Sequence, residues 1–461
     1  MSGTDVRLAL ISHTNVGKTS LTRTLLRSDV GEVVDAPHTT MENSLYALAE
    51  SPEGDRLLLW DTPGFGDSLK LKQRLDKRGS AIGWLIGEVW DRVTDRTLYS
   101  SQQAMLAARD LADLLLYQVN AAEDPEFATQ VEAELAMLAW LDKPVILLLN
   151  QLPPHSRKAE RDALEQRWRE RFGKAPVRTV LALDAHERSW IDEVRLLAAV
   201  SEQLEEPQRD AMARLIPAWQ AEALERFRQS IDAVTDLLMA TLRDREPLAS
   251  GQPARLARLG ALRRLGQRLE QNVKRLDATL IGIEGLEGDS AKRIDTALTA
   301  TRSHGDRPTP LQGAAGGAAM GAGAGAAIDL ALGGASLGLF TALGASLSAA
   351  AGWSWCQRAV DKRTLGWSAP FVEELLAEAT ARYLAVTHHG RGRGRYRDAA
   401  LDSWRELADT AAKDRQRDVN ALLAAFDEPD EAQLRAVTRR AVHSVITHAL
   451  LTEYPHAEWI L

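Results

Sequence analysis

Strand and helix patterns alternate over the first two hundred residues of the chain. Continuous apolar runs bounded by polar or turn-forming residues occur at 8–11, 44–49, 56–60, 111–120, 144–150 and 179–183. Such runs are typical of strands in a parallel sheet that is covered on both faces. Residues 125–141 instead have helical spacing, which predicts a strand–helix–strand unit. The sequence therefore predicts an α/β fold with a mostly parallel sheet.

Beyond residue 201 the strand-like runs are expected to stop. Residues 202–300 and 361–461 have helical spacing and mixed charge, as expected of long helices packed side by side. An all-α region is therefore predicted to follow the α/β domain. The predicted boundaries are 1–205 for the α/β domain, 206–307 for a helical domain, 308–357 for a Gly/Ala-rich hairpin and 358–461 for a C-terminal helical region.

The Gly/Ala-rich stretch contains a single charged residue, Asp329. Its glycines recur every four residues at 313, 317, 321 and 325, a spacing that lets a second helix approach closely. Each predicted arm has about twenty residues, near the length that crosses a hydrocarbon core. Two interpretations stay open: the hairpin associates with membrane lipid, or it packs tightly inside a helical domain.

The composition indicates a globular protein in a reducing compartment. Charged residues make up 26% of the chain and hydrophobic ones 45%, and the formal net charge of -8 gives no general reason to expect nucleic-acid binding. The single cysteine, Cys356, excludes an internal disulfide. Residues 1–5 lead into the first strand without the basic region of a targeting segment. We expect a cytoplasmic protein, or one attached to the inner membrane from its cytoplasmic face.

A phosphate-binding loop is predicted between the first strand and the next helix. Residues 12–19 fit the strand–GxxxxGK[ST]–helix pattern, except that Ser12 replaces the first glycine. Backbone N–H groups and the helix N-terminus would hold phosphate, Lys18 would reach the β- and γ-phosphates, and Thr19 would bind Mg²⁺. For this loop alone, a chance turn is the alternative. The residues predicted to contact nucleotide here are His13, Thr14, Asn15, Val16, Gly17, Lys18, Thr19 and Ser20.

A second motif follows the apolar run at 56–60. Its first residue, Asp61, is predicted to hold a water of the Mg²⁺ shell. Gly64 would offer its N–H to the γ-phosphate and flex when that phosphate leaves. Thr40, with Thr39 as the near alternative, would close over the γ-phosphate and complete the Mg²⁺ shell. A local hydrogen-bonding turn explains the Thr-Thr pair equally well.

The order Asn-Val-Gly-Lys-Thr, Thr-Thr, Asp-Thr-Pro-Gly resembles the Era and TrmE-like branch of P-loop GTPases. The resemblance implies GTP and GDP binding with Mg²⁺, and hydrolysis in which Lys18, Thr40 and Gly64 take part. Asn15 matches an asparagine that holds K⁺ against the phosphates in several of these proteins, although a loop-shaping role is as good an explanation. Phe65 stands where Ras-like proteins carry the water-orienting glutamine. The resemblance therefore implies hydrolysis assisted by a monovalent cation.

The predicted base-binding region departs from the resembled family. That family carries Asn-Lys-x-Asp, whose aspartate bonds the guanine base, whereas residues 150–153 here read Asn-Gln-Leu-Pro and keep only Asn150. Ala185 matches an alanine whose backbone N–H reads the base. Asp184 either supplies a carboxylate near the base or caps the following helix. Guanine specificity is thus open, and an ATPase is an alternative.

Two more segments allow both a functional and a structural interpretation. Residues 68–109 are predicted to be a helical insertion, either an effector surface or a packed extra helix. Residues 388–397 form a Gly/Arg-rich segment that either binds phosphate groups of lipid or RNA or is an exposed linker. Its histidines form no constellation typical of a metal site.

The leading interpretation is a GTP-hydrolysing switch whose C-terminal helical region couples to a membrane or a partner. The arrangement is similar to bacterial proteins that attach an Era-like GTPase to a region of unknown function. A protein partner or a homodimer is expected to complete the site. The alternative from another class is a membrane-associated scaffold that binds nucleotide without turnover. An RNA partner is known among Era-like proteins, but the sequence shows no RNA-binding module.

Overall fold

The computed structural model describes residues 3–13, 16–28, 44–62, 64–65, 105, 108–153, 158–248, 250, 254–303, 357–361, 363–391 and 399–460. These fall into two compact units. The first consists of Met1–Leu224 and His388–Arg395, and the second of Glu225–Thr387 and Tyr396–Leu461. The predicted hairpin up to residue 356, and most of the insertion predicted at 68–109, lie outside the described residues.

The first unit is built around a six-stranded sheet. Its strands are β1 (Asp5–Ser12), β2 (Ser44–Glu50), β3 (Arg56–Asp61), β4 (Leu114–Asn120), β5 (Val145–Asn150) and β6 (Val177–Ala182). They lie in the order β2-β3-β1-β4-β5-β6, in which β2 pairs antiparallel with β3 and the other neighbours pair parallel. The prediction of an α/β fold with a mostly parallel sheet is confirmed.

Burial follows the continuous apolar runs. Residues 8–11 of β1 and 145–149 of β5 are fully buried, as strands covered on both faces must be. The run predicted at 111–120 begins its strand only at Leu114. Just before it, the Asp113 carboxylate accepts a hydrogen bond of 2.8 Å from the backbone N–H of Arg7. Asp113 thus bonds to β1 through its side chain, and β4 begins at the next residue.

Five helices accompany this sheet in sequence: α1 (Lys18–Leu26), α2 (Thr129–Leu138), α3 (Lys158–Phe172), α4 (Trp190–Gln203) and α5 (Gln208–Arg243), with a 3-10 turn at Ala139–Leu141. The helical spacing at 125–141 is therefore confirmed for most of its length. The boundary between Leu224 and Glu225 falls inside α5. This long helix carries the chain out of the first unit.

Asp55 ties the turn between β2 and β3 to the first strand and to α5. Its carboxylate accepts hydrogen bonds from the backbone N–H of Thr4 at 2.9 Å, from Ser51 Oγ at 2.9 Å and from Arg214 Nε at 2.6 Å. The Arg214 guanidinium, helped by the other donors, holds the pKa of Asp55 well below its ordinary value of 3.8. The ionised carboxylate therefore stabilises the folded state.

We expect the Asp55→Asn variant to unfold at a lower urea concentration than the wild type at pH 7. Because the folded-state pKa lies below the unfolded one, the stabilisation is present above about pH 4 and is lost as the pH falls further. The gap between the two proteins should therefore narrow at pH 3. Asp5→Asn is the control, since Asp5 pairs with the half-exposed Arg56. An equal effect of both substitutions would contradict the prediction.

The second unit is mainly helical. Its helices, besides the end of α5, are α6 (Ala254–Ile283), α7 (Gly288–Ser303), α8 (Ala369–Thr387), α9 (Ala399–Asp414), α10 (Gln416–Ala424) and α11 (Glu431–Glu453), followed by a 3-10 turn at Pro455–Ala457. The prediction of long helices after residue 201 is confirmed. Within the described ranges, every helix is too short or too polar to be a membrane-spanning candidate.

Strands nevertheless occur beyond residue 201, so the expectation that they stop there is wrong. β7 (Arg245–Pro247), β8 (Gln357–Asp361) and β9 (Thr364–Trp367) form an antiparallel sheet in the order β7-β9-β8. These strands have three, five and four residues, too few to show a period in the sequence. Trp367 is fully buried and stacks on Phe371 with ring centroids 4.3 Å apart. Packing by this ring anchors the sheet to α8.

A buried ion cluster joins three helices of the second unit. Arg382 on α8 donates to both carboxylate oxygens of Asp277 on α6, at 3.0 and 2.8 Å. It also lies 2.9 Å from Glu378, which accepts from Arg405 of α9 at 2.9 Å. Burial alone would raise the pKa of Glu378, but the charges of Arg405 and Arg382 outweigh it and hold the pKa at about 2. Glu378 is therefore ionised at neutral pH.

Candidate functional site

Gly17 combines a left-handed backbone with a close contact that a side chain at this position would obstruct. Gly17 precedes α1 with φ of 91°, and its carbonyl accepts a hydrogen bond from Leu21 N at 3.0 Å. A Cβ atom added to it would lie 2.8 Å from Asn150 Nδ2. Gly17 therefore permits both the left-handed backbone and the close approach of a side chain from β5.

Ser12, which replaces the first glycine of the pattern, is accommodated locally. Its side chain is buried, and its hydroxyl donates to the carbonyl of His13 at 2.7 Å. The carbonyl of Ser12 accepts from the backbone N–H of Phe65 at 2.8 Å. The phosphate loop is thus tied to the segment after β3, and the extra side chain leaves no unmatched hydroxyl.

Lys18, Thr19 and Asp61 meet where β1 and β3 end and α1 begins. Lys18 Nζ lies 3.6 Å from Asp61 Oδ1, and the Thr19 hydroxyl donates to Asp61 Oδ2 at 3.3 Å. The side chains of Lys18 and Asp61 are nearly buried. Burial raises the pKa of Asp61, and the charge of Lys18 offsets part of that rise. The predicted cation, hydroxyl and carboxylate are therefore adjacent.

This group of side chains fits a Mg²⁺ ion. Asp61 Oδ1 is buried and accepts no hydrogen bond from any residue that the structure describes. Hydroxyl and carboxylate oxygens are the ligands that Mg²⁺ prefers, usually together with water and phosphate oxygens. Thr19 and Asp61 are thus placed to hold the ion directly or through water. The third predicted ligand, Thr40, lies outside the described residues, as do Thr14 and Asn15.

Sequence reasoning missed two residues that orient His13. His13 Nδ1 lies 2.9 Å from Glu134 Oε1, and the hydroxyl of Tyr117 donates to Glu134 Oε2 at 2.7 Å. Burial, reinforced by the Glu134 carboxylate, raises the pKa of Tyr117 well above its ordinary value, so the phenol stays a donor. Glu134 is fully buried inside α2. The sequence could have indicated Glu134, because a glutamate among apolar residues on a helix needs a hydrogen-bond or charge partner when it is buried.

Three amide side chains converge on the carbonyl of Val16. Asn150 Nδ2, Gln118 Nε2 and Gln151 Nε2 lie 2.7, 3.0 and 3.5 Å from that oxygen. Gln118 was not singled out from the sequence, although it is a polar residue near the end of the apolar run in β4. Gln151 takes a left-handed backbone with φ of 57°. The phosphate loop is therefore held from behind by the carboxyl ends of β4 and β5.

Asn150 also holds the loop after β6. Its Oδ1 accepts from the backbone N–H of Ala185 at 2.8 Å. Asp184 accepts from Leu152 N and from His186 N, both at 2.8 Å. The N-cap residue of α4 is Ser189, so the alternative that Asp184 caps this helix is wrong. Asp184 instead joins the two loops that are predicted to flank the base.

Part of the Gly/Arg-rich segment also belongs to the first unit. His388 and His389 are each 4% exposed and Arg391 is 2% exposed. The alternative of an exposed linker is therefore wrong for residues 388–391, while residues 392–398 lie outside the described part. Residue 390 is a glycine in contact with the carbonyl of Ala185, beside the loop described above.

Of the other predicted contacts, Ser20 lies buried in the first turn of α1, and Gly64 precedes Phe65, which is fully buried. The ring of Phe65 belongs to the core cluster that includes Ile11, Tyr117 and Leu147. It therefore packs inward, whereas a water-orienting residue must face the phosphate.

Known proteins resemble both halves of the chain. Residues 7–151 match the family model described as 50S ribosome-binding GTPase, and residues 299–451 match the model described as domain of unknown function (DUF3482). Over 151 residues the chain is 29% identical to GTPase Era of Heliobacterium modesticaldum, a match that covers 33% of this chain and 41% of that protein.

The chain is also similar to a second curated protein and to a solved structure. Over 149 residues the chain is 29% identical to tRNA modification GTPase MnmE of Picosynechococcus sp., covering 32% of this chain and 26% of that protein. The structure of Era in complex with MgGDPNP and nucleotides 1506-1542 of 16S ribosomal RNA superimposes with a TM-score of 0.34 at 16% identity, covering 61% of this chain and 90% of that one. The chain spans less than half the length of the curated relatives that it matches.

Proposed function

We propose that this protein, whose residues 7–151 form a GTPase domain related to those of Era and MnmE, is a Mg²⁺-dependent switch. In this role it would hydrolyse GTP to GDP and phosphate. The observation that carries the proposal is the contact of Lys18, Thr19 and Asp61 at the N-terminus of α1. A buried cation, a hydroxyl and a carboxylate at a helix N-terminus match what a nucleoside triphosphate with its metal requires.

Each group has a separate task in this proposal. Lys18 balances the negative charge that spreads over the phosphates during transfer, and the backbone N–H groups of the loop hold the same oxygens in place. Mg²⁺, when bound, supplies further charge neutralisation at the phosphates. We assign the sensing of the γ-phosphate to Gly64, through its backbone N–H, and to Thr40, through its hydroxyl.

The attacking water must be oriented without a glutamine. Phe65 occupies that position, its ring is buried, and its backbone N–H is donated to Ser12. We assign Asn15 to recruiting K⁺ against the phosphates, where the cation would supply the positive charge that an arginine finger supplies elsewhere. Slow turnover is expected until a protein partner or a second copy completes the site.

The C-terminal half is proposed to convert nucleotide state into contact with a membrane or a protein partner. The segment proposed for lipid contact is 308–357, whose composition carries the argument. The protein would then act in the cytoplasm or at the cytoplasmic face of the inner membrane. RNA is a further partner to test, since a related Era structure holds 16S ribosomal RNA.

A second candidate, an ATPase, is favoured by one observation. Residue 153 is a proline where the resembled family has the aspartate that discriminates guanine, and the N–H of Ala185 is donated to Asn150. Asp184 lies beside this region, where its carboxylate accepts hydrogen bonds from the backbone N–H groups of Leu152 and His186. For the GTPase candidate, by contrast, we propose that Asp184 contacts the guanine base in place of the missing aspartate.

The experiment is a titration of the full-length protein with fluorescent GDP, GTP, ADP and ATP analogues in Mg²⁺, in KCl or NaCl, with phosphate release measured in parallel. We expect guanine nucleotides to bind more tightly, and hydrolysis to be faster in KCl. The Asn15→Ala variant should lose the KCl stimulation, and unchanged stimulation would remove Asn15 from this role. Equal binding of adenine and guanine would favour the ATPase, and binding without Mg²⁺-dependent phosphate release would favour a scaffold.

A further inference from the structure

The chain returns to the first unit after α8 ends at Thr387. Residues His388–Arg391, here called the returning segment, lie against residues 184–188, here called the base-side loop. The base-side loop connects β6 to α4. No prediction from the sequence placed these two parts of the chain together.

The two stretches pair through their backbones. The backbone N–H of Arg188 donates to the carbonyl of His388 at 3.0 Å, and the N–H of Gly390 donates to the carbonyl of His186 at 3.0 Å. Between them, Glu187 and His389 form an antiparallel bridge. The returning segment therefore adds a short strand to the base-side loop and limits its movement.

Gly390 shows how close the two backbones are. A Cβ atom at this position would lie 2.1 Å from the carbonyl oxygen of Ala185 and 2.7 Å from the carbonyl carbon of His186. Both neighbours are backbone atoms, which cannot move without shifting the loop. The returning segment thus fits the base-side loop only with a glycine here.

Thr24 links the pair to the helix that follows the phosphate loop. Its buried hydroxyl donates to the carbonyl of Ala185 at 2.9 Å and accepts from the backbone N–H of Arg391 at 2.9 Å. A hydroxyl offers one donor, and here donor and acceptor are both used. One side chain of α1 therefore holds the base-side loop and the returning segment at once.

The same hydrogen-bond chain continues to the phosphate loop. The N–H of Ala185 donates to Asn150, whose amide donates to the carbonyl of Val16 at 2.7 Å. Buried hydrogen bonds of this kind fix the relative position of the groups they join. The position of Ala185 is thus determined on one side by Asn150 and on the other by Thr24 with the returning segment.

We infer that the returning segment is a positioning element of the nucleotide site, and that Thr24 is the residue through which it holds the base-side loop against the base. The inference rests on the nucleotide binding of the proposed function. Loosening this contact is expected to lower the affinity for ligands that contain a base. The affinity for ligands that contain only phosphates should stay unchanged.

The test compares variants of the full chain by the Kd for GDP and ADP and by the Kd for Mg²⁺-tripolyphosphate, which has no base. Thr24→Val removes both hydrogen bonds at nearly constant volume. We expect it to raise the Kd of the preferred nucleotide about tenfold, the effect of one or two buried hydrogen bonds, and to leave tripolyphosphate binding within about twofold. Thr24→Ser, which keeps the hydroxyl, should restore the nucleotide affinity.

Thr22→Val is the matched control. Thr22 lies on the same helix and is buried, and its hydroxyl bonds to no described residue. Its substitution should change neither Kd. Gly390→Val disturbs the same contact from the returning segment. If circular dichroism shows that this variant is folded, it should show the same selective loss of nucleotide affinity.

Equal weakening of nucleotide and tripolyphosphate by Thr24→Val would overturn the inference, and so would an effect no larger than that of Thr22→Val. A wild-type protein that binds tripolyphosphate but no nucleotide would instead overturn the proposed function, and the inference with it. The wild-type titration therefore identifies a failure of the proposed function, and the comparison of Thr24→Val with Thr22→Val identifies a failure of the inference.

Discussion

Replacement of Lys18 by alanine is expected to lower Mg²⁺-dependent GTP turnover by about 100- to 1,000-fold, the usual cost of removing one charge-stabilising donor from a transition state. The Lys18 side chain is 8% exposed, so water cannot replace the lost cation efficiently. Asp61, 3.6 Å away, would also lose the charge that offsets its burial. Phosphate release at saturating GTP, with nucleotide affinity measured separately, checks the prediction.

Two controls separate chemistry from folding. Lys158→Ala removes an exposed lysine that pairs with Asp162 on α3 and should leave turnover unchanged. The double variant Lys18→Ala with Asp61→Asn removes the uncompensated carboxylate and should recover thermal stability without recovering turnover. A Lys18→Ala protein that is folded and as active as the wild type would overturn the assignment of the site.

The Asp277→Asn variant is expected to lose about 3–5 kcal/mol of unfolding free energy, the typical cost of breaking a buried ion pair on one side. The variant keeps the shape of the side chain but leaves Arg382, 1% exposed, without the carboxylate charge that accepts both hydrogen bonds from its Nη1. Glu378 compensates only in part, because Arg405 also holds it. Urea unfolding of the full chain, followed by circular dichroism, measures the change.

Two comparisons define this result. Asp236→Asn breaks the exposed pair with Arg435 and should cost less than about 1 kcal/mol. Combining Asp277→Leu with Arg382→Met removes both charges of this pair, leaves Glu378 paired with Arg405, and should recover much of the lost stability. The contribution of Glu378 should fade as the pH falls from about 4.5 towards 2, since its folded-state pKa lies below its ordinary value. A loss in Asp277→Asn no larger than in Asp236→Asn would contradict the prediction.

The central sheet could be predicted from the sequence because its strands carry a signal of their own. A run such as 145–149 is apolar throughout, which at that length is typical of a strand covered on both faces. The short strands of the second unit carry no comparable signal. β9 has four residues, and what holds it is the packing of Trp367 on Phe371, a contact that exists only in the folded chain.

The site divides in the same way. Lys18, Thr19 and Asp61 were found because a known chemistry imposes fixed residue types at fixed spacing. Asn150 was found for its likeness to a family, but its role in joining Val16 to Ala185 depends on the arrangement of two loops. The contact of Thr24 with Arg391 could not be predicted from the sequence, because a threonine in a helix and a glycine near an arginine are common in any sequence.

The position of the returning segment in the sequence also determines when the first unit can complete its folding during synthesis. Thr24 and Arg391 are 367 residues apart, although one hydrogen bond joins them. A ribosome adds about 5–20 residues per second, so the strand that pairs with the base-side loop emerges on the order of 10–30 s after Leu224 has been made. Throughout that interval the edge at 186–188 has no covering strand, an exposure of the kind that favours chaperone binding. Pairing at the edge of the base-side loop is therefore completed only after α5, α6, α7 and α8 have been made.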